Sequence, residues 1–282
     1  QGVWLPLVFG QGNVTATNTA YSFANQADVL INTRLAADVQ GATRMDRPEW
    51  AGVNPANGEV YLTLTNNSAS VRSLANVDAA NPRHYNDPRG TSNNFGNPNG
   101  HIIRLRETGN TAEATTFAWD IYAFGAGSDL NAASANISGL DASNDFSSPD
   151  GLWFSRPSNV GGQINPLLWI QTDDGAFTDV TNCMMLAAIP GQVGDGGQRA
   201  ITSTDAAGNS RTVNTFVGKA PGMQLKRFLV GPKQCEITGI DTTPDGRTLF
   251  VNIQHPGEGV GATVPTTLPS NWPASQTNPS AA

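Results

Sequence analysis

The sequence predicts an all-β protein that resembles part of a β-propeller. Glycine (30 residues) and proline (18) are plentiful among 282 residues, and only 14% of the chain is charged. This composition favours short strands joined by turns. No long segment has the 3.6-residue apolar periodicity of an amphipathic helix. A recurring turn pattern and a set of strand candidates, described next, make the prediction more specific.

The turn pattern occurs three times, in residues 51–64, 145–154 and 238–253. Each copy is interpreted as a short strand, a turn with proline followed by glycine, and an apolar strand. Proline presets the first turn dihedral and glycine accepts a positive φ. The three glycines, Gly58, Gly151 and Gly246, are 93 and 95 residues apart. This near-regular spacing predicts a repeated sheet unit.

Further strand candidates follow the first two copies. Residues 167–172, 183–189 and 227–230 follow the second copy, and residues 101–106 and 115–124 follow the first. Four strands per unit describe a propeller blade with long inserted loops. A closed ring needs four to eight blades, so a chain with about three units is expected to form an arc. A β-sandwich with long loops is the alternative fold.

Charge and hydropathy limit the classes of partner. The formal net charge is −7 and no basic stripe is present, which argues against a nucleic-acid partner. No apolar run reaches the length of a membrane span.

The chain begins at Gln1 in an apolar stretch, which we interpret as a start inside a longer protein. We expect one domain over residues 1–260 and an extended or disordered tail over residues 261–282.

Cys183 and Cys235 lie outside any metal-ligand spacing. They could form a disulfide in an oxidising compartment or remain two separate buried thiols. The sequence leaves both alternatives open.

One segment concentrates charge beside the first repeated turn. Arg44-Met45-Asp46-Arg47-Pro48-Glu49-Trp50 contains two arginines and two carboxylates. Glu49 could bind a hard cation through oxygen, and the planar guanidinium of Arg47 matches phosphate geometry. The alternative is a solvated cluster of salt bridges.

Two other places carry candidate ligands. Asp150 precedes Gly151 in the second repeat, where it could bind metal or only form the turn. His255 and Glu258 follow the apolar strand of the third repeat, where each could bind metal or be a surface polar group.

Several motifs closely resemble the PhoX-type alkaline phosphatases. They are Asn32-Thr33-Arg34-Leu35-Ala36-Ala37-Asp38, residues 41–50 with Met45-Asp46-Arg47-Pro48-Glu49, Gly100-His101-Ile102-Ile103-Arg104, Ser148-Pro149-Asp150-Gly151-Leu152-Trp153, Arg227-Phe228-Leu229-Val230-Gly231-Pro232, and residues 243–258. They occur in the family's order over most of the chain.

The resemblance implies a propeller-like fold and a secreted or periplasmic, Tat-exported bacterial enzyme. The implied activity is hydrolysis of phosphate monoesters, sometimes diesters, at a site containing Ca²⁺ and Fe³⁺. It makes Glu49 a metal ligand and places Arg47 on the phosphate. By the same resemblance, Asp150, His255 and Glu258 become further candidate metal ligands.

Family members are longer, and the resemblance makes this chain their C-terminal part. Several metal ligands, among them a cysteine that neither Cys183 nor Cys235 matches, belong to the N-terminal half. That half is therefore an expected partner in a shared active site. The alternative from another class is a non-catalytic secreted propeller segment with a binding or structural role.

Overall fold

The computed structural model describes residues 1–156, 166–173, 180–258, 270 and 272–273. Most of the regular structure is β. The strands, β1 to β16 in chain order, are Gly2–Val3, Pro48–Val53, Val60–Leu64, Asn67–Ser68, Tyr85–Asn86, Phe95–Asn97, His101–Glu107, Thr116–Phe124, Pro149–Phe154, Leu168–Thr172, Met184–Ala188, Gly197–Thr204, Ser210–Val217, Leu225–Val230, Glu236–Thr242 and Leu249–Gln254. The α-helices are α1, Gln26–Ile31, and α2, Thr33–Gln40; single 3₁₀ turns span Leu74–Asn76, Thr108–Asn110 and Gly222–Gln224.

The chain divides into two compact units. The first contains residues 1–45 and 107–118, and the second contains residues 46–106 and 119–282. The first unit holds both helices around a small apolar core of Val14, Phe23, Val29 and Ala36. The side chain of Asn25 caps α1, and Gly41 ends α2 with a left-handed φ of 76°. Both helices are short, so their sequence carries too few turns for the periodicity to be visible.

The second unit contains a sheet with the strand order β12-β13-β8-β7-β3-β2. Most of its pairs are antiparallel, and β13 meets β8 in parallel at Val217 and Ile121. Three short strands, β4, β6 and β5, form a separate sheet within residues 67–97. Several polar side chains of residues 81–100 are fully buried.

The predicted four-strand unit after the second repeat is confirmed as one antiparallel sheet. Its order is β14-β11-β10-β9, which follows the chain. The apolar core of the second unit lies against this sheet and includes Tyr61, Phe146, Leu152, Ile170 and Leu186. β15 and β16 form a hairpin that packs on β9, β10 and β11. The β-rich class is therefore confirmed, whereas the arrangement of these sheets as propeller blades stays a prediction.

Two of the three repeated turns have the predicted form. Gly58, between β2 and β3, has a φ of 74°, and Gly246, between β15 and β16, has a φ of 67°. The prediction for the second copy is wrong, because Pro149, Asp150 and Gly151 lie inside β9. A Cβ on Gly151 would lie 2.3 Å from Oε1 of Gln171. Glycine at this position permits close approach of β10 and does not form a turn.

Cys183 and Cys235 are both buried in one cluster with Trp169, Met185 and Ile237, and they form no disulfide in the structure. The two cysteines therefore belong to one part of the core, as two buried thiols. Most of the predicted tail, residues 261–282, lies outside the described residues. In the described part of the chain, no helix has the length and apolar character to cross a membrane.

Candidate metal and phosphate site

Strand pairing brings two aspartates to the same end of the four-stranded sheet. β9 begins where β10 ends, because Pro149 pairs with Thr172 across the antiparallel ladder. The backbone N–H of Asp173 also donates to the carbonyl of Ser148 at 3.1 Å. Asp150 at the start of β9 is thereby adjacent to Asp173, which directly follows β10.

The β15–β16 hairpin adds a third carboxylate. Glu236 is the first residue of β15, and Gln171 of β10 anchors the hairpin by donating to the carbonyl of Gly239 at 3.0 Å. Asp150, Asp173 and Glu236 each offer a carboxylate oxygen, and these three atoms lie within 4.8 Å of one another. Three oxygens at such separations match the spacing of ligands around one hard cation.

His255 and Glu258 lie beside this triad. In the hairpin register Glu236 is opposite Gln254, the residue that precedes His255. Nε2 of His255 is 3.4 Å from Oε2 of Glu236, and Nδ1 of His255 is 3.2 Å from Oε2 of Glu258. The imidazole therefore bridges two carboxylates, a position from which it can orient Glu236.

Arg47 and Glu49 approach from the start of β2. Nη2 of Arg47 is 3.6 Å from Oε1 of Glu49. Arg47 is not extended, because it precedes β2 with a φ of 48°. Thr63 ties this strand to the triad, since its hydroxyl accepts from the N–H of Trp50 at 3.0 Å and donates to the carbonyl of Asp150 at 2.7 Å.

The pKa values of two triad carboxylates, Asp150 and Glu236, are raised in the folded chain. Burial, together with the nearby charges of Glu49, Glu236 and Asp173, raises the pKa of Asp150 to about 7, and the charge of Arg47 acts in the opposite direction. Burial also raises the pKa of Glu236, with Asp173 adding to the effect. Five carboxylates thus share one arginine and one histidine, and a bound cation would relieve their repulsion.

Backbone strain is concentrated around these carboxylates. Among the described residues, the non-glycine positions with positive φ are Arg47, Asn110, Ser148, Gln234 and His255. All but Asn110 lie within three residues of a site carboxylate in sequence. Such conformations are unfavourable in isolation and tend to persist where a functional site requires them.

The structure thus brings together all five residues that the sequence singled out and adds Asp173 and Glu236, which the sequence analysis missed. Neither Asp173 nor Glu236 lies in one of the motifs that the sequence analysis recognised. One available signal was position: each immediately follows or begins an apolar strand, as Asp150 does. Asp46 from the same charged segment lies elsewhere, fully buried and paired with Arg72 at 2.8 Å.

Comparison with known proteins identifies the family of the chain. The family model described as alkaline phosphatase PhoX matches residues 1–257, so the chain belongs to the PhoX alkaline phosphatase family. Among solved structures, the chain is similar to Pseudomonas fluorescens PhoX in complex with vanadate, a transition state analogue, with 36% identity and a TM-score of 0.65. The similarity covers 95% of this chain and 38% of that chain. No curated protein matches the chain.

Proposed function

We propose that this chain carries the phosphate-binding arginine and several metal ligands of an alkaline phosphatase that hydrolyses phosphate monoesters, with diesters as further substrates. The observation that supports this most directly is the carboxylate triad of Asp150, Asp173 and Glu236 beside Arg47. A site of this composition within a PhoX-family chain has the two parts that phosphoryl transfer needs, a cation-binding cluster and a cationic side chain for phosphate.

The donor set fits the metals that the family implies. Ca²⁺ binds six to eight oxygens, and this cluster offers carboxylates from three strands. His255, in contact with Glu236, adds an imidazole suited to iron. We assign Asp150, Asp173 and Glu236 as ligands, with Glu49, His255 and Glu258 as further candidates for Ca²⁺ and Fe³⁺. The metals would supply Lewis-acid stabilisation of negative charge on the phosphate.

Arg47 is the residue of this chain best suited to hold the phosphate. Its guanidinium can form charge-assisted hydrogen bonds to two phosphate oxygens, which sets the orientation of the ester. Its contact with Glu49 keeps it next to the proposed metal site. A metal-bound phosphate could therefore touch Arg47 without any rearrangement of β2.

The remaining ligands are proposed to come from an N-terminal half corresponding to the part of the PhoX relative that this chain does not match. Two exposed apolar side chains support such a partner. Phe228 lies on β14, the end strand of its sheet, and Phe250 lies on β16, the outer strand of the hairpin. Exposed aromatic residues on end strands are unusual without a covering segment. Periplasmic or secreted localisation belongs to the same proposal and follows from the family.

The metal site can be tested by loading the purified chain with Ca²⁺ and Fe³⁺ and measuring bound metal by elemental analysis. Asp150→Asn removes a proposed ligand charge while preserving shape, and Asp205→Asn in the β12–β13 turn is the matched control. We expect the first variant to lose metal and the second to keep it. Equal metal content in both would contradict the assignment.

Activity is tested with p-nitrophenyl phosphate, using the metal-loaded chain alone and together with the N-terminal half. We expect turnover in at least one of these preparations, and loss of turnover on chelation or with Asp150→Asn. If neither preparation hydrolyses the ester although the metals are bound, the chain is a non-catalytic segment, and the enzymatic proposal is wrong.

A further inference from the structure

Asn66 lies between β3 and β4 and contacts the site through a directed series of hydrogen bonds. Nη1 of Arg47 donates to Oδ1 of Asn66 at 3.1 Å. Nδ2 of Asn66 donates to Oγ of Ser148 at 3.1 Å, and that hydroxyl donates to the carbonyl of Pro98 at 3.4 Å. Because an arginine can only donate, the amide oxygen of Asn66 must face it and the amide nitrogen must face Ser148.

Both ends of this series are fixed by the backbone. The N–H of Thr65 donates to the carbonyl of Arg47 at 3.1 Å, which holds the arginine in its strained conformation. Ser148 is fully buried, its N–H donates to the carbonyl of Asn99 at 2.9 Å, and its carbonyl accepts from Asp173. Asn66 therefore connects the proposed phosphate-binding arginine to the segment that carries Asp150 and Asp173.

We propose that Asn66 is a positioning residue that orients the guanidinium of Arg47 for phosphate. The inference rests on the proposed phosphatase function. Without Asn66, Arg47 would retain only Glu49 as a described polar partner and would be drawn toward that carboxylate. A guanidinium neutralised by Glu49 would bind the phosphate less well, and Glu49 would be less available to a metal.

The amide is suited to this task because it is neutral. Asn66 accepts from Arg47 without adding a negative charge beside it, so this contact does not reduce the attraction of the guanidinium for a phosphate. Aspartate has the same shape and would also accept, but it would pair its own charge with the guanidinium. Asn66→Asp should therefore preserve the position of Arg47 and weaken phosphate binding through charge alone.

The experiment measures orthovanadate and inorganic phosphate binding to the metal-loaded protein by calorimetry, together with kcat and KM for p-nitrophenyl phosphate. We expect Asn66→Ala to reduce anion affinity and kcat/KM about tenfold, the effect of one lost charge-assisted hydrogen bond, with metal content unchanged. Asn66→Asp should weaken anion binding at least as much, while circular dichroism confirms that it folds. Asn209→Ala, in the turn between β12 and β13, is the matched control and should change neither quantity.

A double-mutant cycle separates positioning from a general structural role. If Asn66 acts through Arg47, Asn66→Ala should change kcat/KM and anion affinity less than about twofold in the Arg47→Ala background. Multiplicative effects in that background, or loss of metal from Asn66→Ala, would overturn the inference and leave the phosphatase proposal intact. If the metal-loaded parent protein neither binds these anions nor hydrolyses the ester, the proposed function fails, and the role of Asn66 fails with it.

Discussion

Two polar regions of the second unit, one buried and one partly buried, differ in charge balance. In the first, the Asp46 network, one carboxylate accepts from Arg72 at 2.8 Å, from Asn97 at 3.0 Å and from Asn67 at 3.1 Å. Asn97 in turn accepts from Arg83 at 2.8 Å. In the second, the acidic cluster of Asp150, Asp173 and Glu236, burial and then the neighbouring carboxylates raise the pKa of Asp150.

The difference distinguishes a region that stabilises the fold from one prepared for a ligand. In the Asp46 network the carboxylate of Asp46 is paired with Arg72, and the guanidinium of Arg83 donates to the backbone carbonyls of Gly125 and Ala135 and to Asn97, so these groups offset much of the cost of burial. The acidic cluster leaves its charge unbalanced, which destabilises the isolated chain and favours binding of a cation. Buried polar residues therefore cannot be interpreted by residue type alone, because the charge balance around them decides their role.

Breaking the Asp46 network should have the largest effect on stability. Asp46→Ala removes the shorter of the two described carboxylate contacts of Arg72 and leaves Asp78 at 3.6 Å, and we expect a loss of about 3 kcal/mol in the free energy of unfolding. Asp38→Ala is the control, because Asp38 forms an exposed pair with Arg44 and should cost less than about 1 kcal/mol. Denaturant titration of both variants measures the contrast. Equal losses would show that the network does not stabilise the fold.

The histidine of the same region should make the protein sensitive to acid. His101 is buried, accepts at Nδ1 from Asn97 at 3.1 Å and donates from Nε2 to the carbonyl of Ala80 at 2.8 Å. Burial, together with the charge of Arg83, lowers its pKa to about 4. As the pH falls, His101 therefore binds a proton near pH ~6.5 in the unfolded chain but only near pH 4 in the folded chain. The free energy of unfolding decreases between these two pH values.

We expect this histidine to contribute about 2–3 kcal/mol of acid destabilisation, which His101→Gln should remove. The measurement is the difference in unfolding free energy between parent and variant from pH 7 to pH 4. A pH-independent difference would show that His101 binds its proton equally well in the folded and unfolded chains.

We expect Ca²⁺ to stabilise the folded chain by binding to the acidic cluster and not to the Asp46 network. Ca²⁺ at about 100 times its dissociation constant should add about 2.7 kcal/mol to the stability of the folded chain. Asp173→Asn should abolish most of this gain, whereas Asp46→Ala should keep it despite its lower starting stability. Thermal unfolding with and without Ca²⁺ tests both variants. A gain that persists in Asp173→Asn would place the cation elsewhere.

The sequence predicted local structure well where each strand carries its own pattern. The four strands of the β9–β14 sheet were located from apolar runs and turns, because those signals are contained in a few consecutive residues. Gly151 was wrongly assigned to a turn because the reason for a glycine there lies outside its own segment. The absence of a side chain at Gly151 permits the approach of Gln171 from the next strand. The two helices were not predicted because 6 and 8 residues are too few to show a helical apolar periodicity.

The candidate site was predicted in part for the same reason. Arg47, Glu49 and Asp150 were singled out from a charged segment and a repeated turn, and the family resemblance assigned their roles; neither source shows the geometry of the site. Glu236 joins them only because the β15–β16 hairpin packs on β10, a contact between residues distant in sequence. Whether the neighbouring carboxylates neutralise or repel each other also depends on that packing, and composition could not reveal it.

The smallest expected effect is the most direct test of the charge imbalance. In the metal-free chain the pKa of Asp150 is about 7 when folded, against about 4 when unfolded. A raised carboxyl pKa means that the folded state holds a proton that the unfolded state releases. The resulting stabilisation is complete below about pH 4 and is lost as the pH rises through 7.

Because Asp150 is only partly buried, solvent screening reduces this loss to about 1–2 kcal/mol. Asp150→Asn cannot ionise and should remove the loss, so the metal-free variant should equal or exceed the parent in stability at pH 8. With saturating Ca²⁺ the order should reverse, because the parent gains a bound cation that the variant cannot hold. Unfolding curves at pH 5 and pH 8, with chelator and with Ca²⁺, give all four comparisons. If Asp150→Asn were less stable than the parent in chelator at pH 8, the carboxylate would be stabilising by itself, and the contrast between the two regions would be lost.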